Sequence, residues 1–557
     1  MRKKIGNVVL DYTHYKGADI YSDGDIEDEL LDACMSDRQQ QLLYNSNEYA
    51  VLYHLSPIRE NLLEWYPLDN TQSVLEIGSG CGAMTGILSR KAQKVTCIEL
   101  SEKRSLINAY RHKEHENIEI YIGNFQEIEP TIGKYDVITL IGVWEYSELY
   151  ISDKKPFEKM LLTAQKHLSS NGKILIAIEN KMGLKYWNGA QEDHTGNQYS
   201  GLNDYVDSKE KGVRTFSKRE IEMMLKKVGI NNYAFYYPMP DYKLPDCIYS
   251  EEYLPHAGQL RTFRKEYAYN RLYNFNEAIV NDQICEDGVF EYFANSFFIV
   301  CGENSCQVKF AKYNRERKDK FRTETIIEKK NNTRYVLKRA LEKESISHIE
   351  RVANNLKRMY VRNQGISYVI GEIEDGVFVS PYIEGDDIEH TLYLYRNDLH
   401  SFIKRIKNII EILYENLGEL IKFDETEAFR SVFGTYTGKE TKSFKITNVD
   451  LILSNMKYKD GKIYIFDSEW TFDFPIPYKY VMWRLIRIAY YSYYAYLKGK
   501  INIIDFLKEF DFNEEENNSF MIMEVHFGEY VCGSMKKEQY TRKYQKAAIM
   551  QKFQIYD

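Results

Sequence analysis

Five residues between positions 76 and 99 have types and spacing suited to binding a nucleotide-like ligand. Glu76 precedes three glycines at alternate positions, Gly78, Gly80 and Gly82, and Glu99 follows the first glycine by 21 residues (78 to 99). Glycine lets a backbone turn sharply and approach a ligand closely. A carboxylate about 20 residues beyond such a turn can accept hydrogen bonds from ribose hydroxyls.

Apolar runs on either side of this turn predict the elements that position it. Residues 74–77 and 95–98 indicate two buried strands, and a helical stretch begins near Ala83. A strand, a glycine-rich turn, a helix and a second strand form the first half of a Rossmann-like fold.

Glycine turns of this kind serve NAD, FAD and S-adenosylmethionine (SAM), and a tight turn without any ligand is a further alternative. A dinucleotide turn cradles a pyrophosphate at a helix N-terminus, whereas Glu76 could meet the cationic methionine moiety of SAM. The pattern Glu-x-Gly-x-Gly-x-Gly resembles motif I of class I SAM-dependent methyltransferases. The resemblance implies SAM as cofactor, bound by Glu76, the three glycines and Glu99.

Three more apolar runs, residues 118–122, 136–141 and 173–178, alternate with helical segments. Five strands in this arrangement predict a mostly parallel, doubly wound sheet. Asn124 and Phe125 follow the third strand, where residues of SAM enzymes flank the adenine. The resemblance therefore adds both residues to the cofactor site, with Phe125 stacking on the purine and Asn124 replacing the commoner acid.

A polar loop after the fifth strand carries Glu192, Asp193 and His194. Carboxylates beside an imidazole keep it basic and oriented, so His194 is a candidate catalytic base. The alternative is a loop histidine whose hydrogen bonds only hold a turn.

A second group of chemical residues lies far along the chain. Asp450 precedes Asn455 by five residues, and Asp467 follows a short predicted strand. A kinase catalytic loop spaces its catalytic Asp and a metal-binding Asn in this way and places a second metal-binding Asp after a strand. Lys338 lies just before a predicted helix, where a kinase lysine pairs with the phosphates of ATP.

This region resembles the aminoglycoside-phosphotransferase-like branch of the kinase fold. The resemblance implies ATP and Mg²⁺, with Asp450 as catalytic residue, Lys338 on the nucleotide, and Asn455 and Asp467 on the metal. Glu344 or Glu350 is the expected helix partner of Lys338. Asn448 replaces the usual His, and residues 294–312 show no obvious glycine-rich loop, so a domain that only serves as a scaffold is the alternative.

At 557 residues the chain is too long for one core. The predicted fold class is α/β, with a Rossmann-like, doubly wound methyltransferase domain followed by a bilobal α+β protein-kinase-like domain. The predicted divisions are an N-terminal cap over 1–50, the methyltransferase domain over 51–245, a linker over 246–290 and the kinase-like domain over 291–557. Its small lobe covers about 291–383 and its large lobe about 384–557.

Composition excludes several classes of protein. The net charge of −8 argues against a dedicated nucleic-acid binder, which needs a basic face. The eight cysteines form no CxxC pair, which favours reduced thiols in the cytoplasm. The sequence shows neither a signal peptide nor about 20 consecutive apolar residues, so no transmembrane segment is expected.

Taken together, the two halves resemble methyltransferase–kinase proteins of bacterial cell-surface polysaccharide clusters, which cap growing O-antigen chains. Residues 140–146, 192–196 and 466–477 carry this resemblance beyond the glycine turn. It implies a glycan or phosphorylated glycan as methyl acceptor and peripheral association with a polysaccharide-synthesis complex at the inner face of the membrane. A SAM-dependent enzyme that acts on protein is the alternative.

Overall fold

The structure, a computed structural model, describes residues 1–19, 22, 24–206, 212–261, 271, 273–303, 306–359, 365–533 and 543–544. Its first strands are β1 (Arg2–Ile5), β2 (Val8–Asp11), β3 (Ser73–Ile77), β4 (Lys94–Glu99), β5 (Ile118–Ile122), β6 (Tyr135–Ile141), β7 (Leu168–Glu179), β8 (Tyr233–Met239), β9 (Cys247–Ser250) and β10 (Ser296–Cys301). The later strands are β11 (Val308–Tyr313), β12 (Thr323–Lys330), β13 (Thr333–Ala340), β14 (Ile366–Tyr368), β15 (Glu372–Glu374), β16 (Val377–Pro381), β17 (Asp386–Asp387), β18 (Ile421–Lys422), β19 (Lys442–Phe444), β20 (Thr447–Asn448), β21 (Met456–Lys459), β22 (Lys462–Ile465), β23 (Thr471–Phe472) and β24 (Ile476–Pro477).

Helices cover both faces of the first sheet and make up much of the C-terminal half. Those before β10 are α1 (Ile26–Met35), α2 (Gln39–Asn45), α3 (Tyr49–Leu55), α4 (Asn61–Glu64), α5 (Thr85–Lys91), α6 (Glu102–Arg111), α7 (Phe125–Ile128), α8 (Ser147–Tyr150), α9 (Pro156–Lys166), α10 (Leu184–Trp187), α11 (Lys218–Lys227), α12 (Glu277–Glu286) and α13 (Phe290–Phe293). Those after it are α14 (Ile346–Arg358), α15 (Ile388–Tyr393), α16 (Leu399–Asn416), α17 (Glu427–Phe433), α18 (Tyr478–Ser492), α19 (Tyr494–Leu497), α20 (Ile503–Lys508) and α21 (Glu514–Cys532).

The five predicted parallel strands form the centre of the first half. Their order is β5-β4-β3-β6-β7, and each neighbouring pair is parallel. The strand order reverses at β3, so the carboxyl ends of β3, β4 and β6 lie at a topological switch point, where ligands bind in open α/β sheets. The α/β, Rossmann-like part of the fold is confirmed.

Strand β10 departs from the predicted organisation. We assigned residues 296–301 to the small lobe of a kinase-like domain, but β10 lies antiparallel between β7 and β8. All six of its residues are buried, as expected for a central strand covered on both faces. Strand β10 is distant from β7 along the chain, and the periodicity of apolar residues cannot reveal that the two strands pair.

The segment predicted as a linker, residues 246–290, contains regular structure. Strand β9 pairs with β8 on one side and with β11 on the other, and α12 follows. One 15-stranded sheet therefore continues from the first half into the second. Residues 262–270 and 272 of this segment lie outside the described residues.

The predicted N-terminal cap extends the same sheet. Strands β1 and β2 form a hairpin, and β2 adds parallel to β5 at the edge. Residues 49–64 form α3, a 3₁₀ turn (Pro57–Glu60) and α4 rather than one continuous helix. Pro57 has no backbone N–H to donate and disfavours a helical residue before it, which ends α3.

The second half begins with antiparallel strands β11, β12, β13, β16 and β15, against which α14 packs. A four-stranded sheet and a largely helical region follow, sharing one hydrophobic core that includes Phe402, Trp483 and Phe520. The assignment of this half to the kinase fold stays a prediction. Among the described helices, none is long and apolar enough to cross a membrane.

Candidate active site

The glycine turn follows β3 and leads into α5. Gly78, Gly80 and Gly82 have φ values of 70°, 51° and 78°, a left-handed conformation that favours glycine. A Cβ atom on Gly78 would lie 2.5 Å from Cγ2 of Val143. The backbone at Gly78 and the side chain of Val143 thus lie too close together to leave room for a side chain at Gly78.

An open cleft lies at the carboxyl ends of β3, β4, β5 and β6. Four predicted cofactor-binding residues line it: Gly78, Glu99, Asn124 and Phe125. The rest of its lining is mostly apolar and comprises Ile77, Ile98, Leu100, Gly123, Val143, Tyr146, Ser147, Tyr150, Ile151 and Met160.

Glu99 joins the end of β4 to the glycine turn. Its Oε2 accepts the amide hydrogen of Gly80 at 2.7 Å, and its Oε1 accepts that of Ser101 at 3.0 Å. Burial raises the pKa of this carboxyl above its usual value. Glu99 therefore fixes the turn while it lines the cleft.

Glu76 is turned into the protein interior. It is only 4% exposed, and its Oε2 accepts hydrogen bonds from Oγ1 of Thr85 at 2.6 Å and from Sγ of Cys97 at 3.4 Å. Burial raises the pKa of Glu76 to about 7. The carboxyl connects β3 to α5 and is not part of the cleft lining, and its contact with a methionine moiety stays a prediction.

Asn124 has a structural role at the cleft edge. Its Oδ1 accepts the amide hydrogen of Gln126 at 2.8 Å and so caps α7, and its Nδ2 donates to the carbonyl of Tyr150 at 3.1 Å. Asn is a favoured N-cap residue, which explains its presence where an acid was expected. Phe125, the next residue, is buried except for the part that lines the cleft.

A second group of polar residues lies at the ends of β6 and β7. Glu145 is in the 3₁₀ turn after β6, Glu179 is the last residue of β7, and His194 comes from the following loop. Ligand atoms of all three side chains lie within 4.8 Å of one another. Nδ1 of His194 is 3.1 Å from Oη of Tyr146, whose ring lines the cleft.

The electrostatics of this group are dominated by buried charge. Burial and the neighbouring Glu179 raise the pKa of Glu145 to about 8. Although burial would raise it, the Lys243 ammonium holds the pKa of Glu179 well below its usual range. Burial would lower the pKa of His194, but Glu179 beside it raises that pKa to about 9. The predicted role of His194 as a base stays untested.

Two lysines complete the group. Lys243 forms an ion pair with Glu179 and another with Asp193 at 2.8 Å, and Lys185 binds Asp193 at 3.1 Å. We did not select Glu145, Glu179 or Lys243 from the sequence as site residues. The available signal was that Glu179 ends one strand and Glu145 lies shortly after the neighbouring strand, at the edge where side chains of a parallel sheet meet.

The predicted phosphotransfer residues also come together. Lys338 on β13 forms ion pairs with Asp467 and, at 2.7 Å, with Glu469. Nδ2 of Asn455 donates to the carbonyl of Asp450 at 3.2 Å, within one loop. Burial raises the pKa of Asp450 to about 6.

The prediction that Lys338 pairs with a helix glutamate is wrong. Glu344 and Glu350 are both exposed, whereas His348 lies on the buried face of α14 and approaches Oε1 of Glu469 to 2.6 Å. Glu469 thereby supplies the carboxylate that pairs with Lys338. The sequence pattern favoured a helix acid because it cannot show which helix face is buried.

Residues 48–234 match the family model described as a methyltransferase domain. This range contains the glycine turn, the whole cleft lining and Glu145, Glu179 and His194, whereas Lys243 lies outside it. The match gives no information on the second half of the chain.

Two curated proteins are similar to parts of the chain. Ribosomal RNA small subunit methyltransferase A of Syntrophus aciditrophicus is 26% identical over 100 residues, 18% of this chain and 33% of its own length. Protein-L-isoaspartate O-methyltransferase of Nitrobacter winogradskyi is 30% identical over 126 residues, 22% of this chain and 52% of its own length. The chain thus spans only a third to a half of the relatives that it matches.

Solved methyltransferase structures also align with the chain. A SAM-dependent methyltransferase from Archaeoglobus fulgidus aligns over 46% of this chain and 98% of its own, with 12% identity and a TM-score of 0.29. A phosphoethanolamine N-methyltransferase from Haemonchus contortus aligns over 50% and 48%, with 13% identity and a TM-score of 0.28.

Proposed function

We propose that the chain is a SAM-dependent methyltransferase that transfers a methyl group to an oxygen of a bacterial cell-surface glycan or a glycan-linked phosphate. The observation that supports SAM as methyl donor is the cleft at the switch point. There Glu99 accepts a hydrogen bond from Gly80, and both residues lie in the range that matches the methyltransferase family model. The residues present fit SAM, because a polar acid for the ribose adjoins an apolar pocket around Phe125 for the adenine.

SAM, when bound, supplies an already activated methyl group. The chain then has to position the acceptor and exclude water, which accounts for much of the rate of such reactions. Tyr146 contributes to the cleft and contacts His194, so we expect the acceptor to enter between the cleft and the second polar group. A sugar hydroxyl must lose a proton during transfer, whereas a phosphate oxygen is already anionic.

The glycan acceptor rests on the resemblance of three distinctive stretches, residues 140–146, 192–196 and 466–477, to polysaccharide-capping proteins. A protein acceptor is the alternative, since one relative is named for methylation of protein isoaspartate. A nucleic-acid acceptor is disfavoured by the net charge of −8. In the same proposal, the protein works in the cytoplasm, associated with a polysaccharide-synthesis complex at the membrane.

The experiment is transfer of radiolabelled methyl from SAM to acceptors prepared in matched pairs. Each cell-surface oligosaccharide is tested with and without a terminal phosphate, and an isoaspartyl peptide serves as the protein acceptor. Label on either oligosaccharide supports the proposal, and preference for the phosphorylated form identifies phosphate oxygen as the acceptor. Label on the peptide alone would replace the glycan with a protein substrate.

A second candidate activity, phosphotransfer by the second half, is favoured by one observation. Lys338 contacts Asp467, and Asp450 and Asn455 share the loop that precedes Asp467. Bound ATP and Mg²⁺ would supply the phosphoryl group, with Lys338 on the phosphates and Asn455 and Asp467 on the metal. Titration with ATP-Mg²⁺ should give a binding signal, and Asp467→Asn should abolish it. If the wild type gives no signal, the alternative holds that the second half serves only as a scaffold.

A further inference from the structure

The ends of β6 and β7 place three potential metal ligands beside the donor cleft. Glu145 and Glu179 follow neighbouring parallel strands, and His194 reaches them from the next loop. Their ligand atoms lie within 4.8 Å of one another. The carboxyl ends of neighbouring strands are where open α/β sheets gather functional groups.

The burial of this group calls for a partner that the described side chains do not provide. Glu145 is 0% exposed, and neither of its carboxylate oxygens has a hydrogen-bond partner among the described residues. Lys185 and Lys243 are engaged by Asp193 and by Oε1 of Glu179. A buried carboxylate without a partner is costly, and binding a cation is one of the ways in which proteins satisfy it.

The spacing of the ligand atoms suits a shared cation better than direct hydrogen bonds. Nε2 of His194 is 3.9 Å from Oε2 of Glu179, which is too far for a hydrogen bond. Two ligands that each lie about 2.1 Å from one ion can be up to about 4.2 Å apart.

The imidazole is also oriented as a metal ligand requires. Its Nδ1 is hydrogen-bonded to Oη of Tyr146, and its Nε2 faces the glutamates and has no hydrogen-bond partner among the described residues. A histidine that binds a metal through one nitrogen usually has the other nitrogen fixed by a hydrogen bond.

We propose that Glu145, Glu179 and Nε2 of His194 bind a divalent first-row transition-metal ion beside the methyl-donor cleft. Two carboxylates with one imidazole suit ions such as Mn²⁺ and Zn²⁺. Because Tyr146 both lines the cleft and contacts His194, a bound ion would lie near the cleft and could hold an acceptor oxygen close to the donor. This role rests on the proposed function, but the site itself does not, since metal binding needs no SAM.

Equilibrium dialysis of the full chain against Mn²⁺, with bound ion counted by electron paramagnetic resonance, tests the site without SAM or ATP. Glu145→Gln keeps the side-chain size and removes the charge, and it should lower Mn²⁺ affinity at least tenfold. Glu148→Gln, three residues further on at a half-exposed carboxylate, is the matched control and should bind as the wild type does. Asp467→Asn should retain this ion, which separates it from any metal bound in the second half.

A second variant changes affinity in the opposite direction. Lys243→Met removes the cation that competes for Glu179 and should tighten Mn²⁺ binding several-fold. Loss of affinity in Glu145→Gln with a gain in Lys243→Met supports the site, even where one variant alone is poorly folded. Absence of bound Mn²⁺ and Zn²⁺ in the wild type at millimolar metal, or equal affinity in the wild type and Glu145→Gln, would overturn it.

Discussion

Oε2 of Glu99 accepts the amide hydrogen of Gly80 at 2.7 Å, so the acid that ends β4 holds the glycine turn that follows β3. These residues are 19 positions apart (80 to 99), and the hydrogen bond joins the turn to Glu99, which lines the cleft together with Gly78. The same carboxylate accepts the amide hydrogen of Ser101, which orients it from the other end. The shape of the turn and the position of the Glu99 carboxylate are therefore set together.

Replacing Gly78 by Ala should destabilise the protein through a specific contact. The new Cβ would lie 2.5 Å from Cγ2 of Val143, in addition to the cost of a positive φ. Gly229→Ala is the matched control, because Gly229 has a φ of 81° and open space around it. We expect Gly78→Ala to lose about 1–3 kcal/mol more unfolding free energy than the control, measured by urea denaturation.

The double variant Gly78→Ala with Val143→Ala separates the clash from backbone strain. Shortening Val143 removes the atom in the way, so part of the lost stability should return. If Gly78→Ala and Gly229→Ala cost the same, the close approach of the turn to Val143 is wrong.

Glu76 should make stability depend on pH. Its pKa is about 7 in the folded protein because of burial, above the ordinary value of 4.5 for an exposed glutamate. The folded state therefore holds this proton more tightly, and the stabilisation is fully present below pH 4.5 and is lost as pH rises through 7. The difference of about 2.5 pKa units corresponds to about 3 kcal/mol.

The measurement compares urea unfolding of the wild type and Glu76→Gln at pH 4.5 and pH 8. Glutamine cannot titrate, so the stability of the wild type relative to the variant should fall between the two values by a few kcal/mol. A constant difference across this range would show that Glu76 titrates normally.

Much of the first half was predictable from local pattern. Residues 74–77, 95–98 and 118–122 are mostly apolar, and they form β3, β4 and β5 to within a residue or two. A strand buried on both faces needs mostly apolar residues, so its presence can be predicted from the local sequence. Glu99 was recognisable because its distance from the turn is set by one helix and one strand.

Long-range pairing was not predictable in the same way. Strand β10 has the apolar character of any buried strand, and nothing in it specifies insertion between β7 and β8. Similarly, Glu145 and Glu179 are 34 positions apart (145 to 179), and only the parallel register of β6 and β7 brings them together. Short-range spacing could not choose between Glu344, Glu350 and Glu469 as partner of Lys338.

Glu469 should be important for the stability of the second half. Its carboxylate is 3% exposed and contacts Lys338, His348 and Arg317. Burial would raise the pKa of this carboxyl, but the charges of Arg317 and Lys338 and the hydrogen bond with His348 hold it well below the usual range. Because Glu469→Gln leaves buried cations with less compensation, we expect it to cost about 3 kcal/mol of unfolding free energy.

Glu344→Gln is the control for this prediction, since Glu344 is the exposed helix acid that sequence reasoning favoured as partner of Lys338. It should leave the melting temperature unchanged. Equal destabilisation by Glu344→Gln and Glu469→Gln would contradict the observed pairing of Lys338.

The most direct test of the central claim is isothermal titration of the full chain with SAM. The wild type should bind one equivalent, and Glu99→Ala should bind about ten- to a hundredfold more weakly, since a charged hydrogen bond contributes about 1.5–3 kcal/mol. Glu116→Gln, an exposed acid outside the cleft, should bind as the wild type does. Absence of SAM binding in the wild type, or unchanged affinity in Glu99→Ala, would contradict the account.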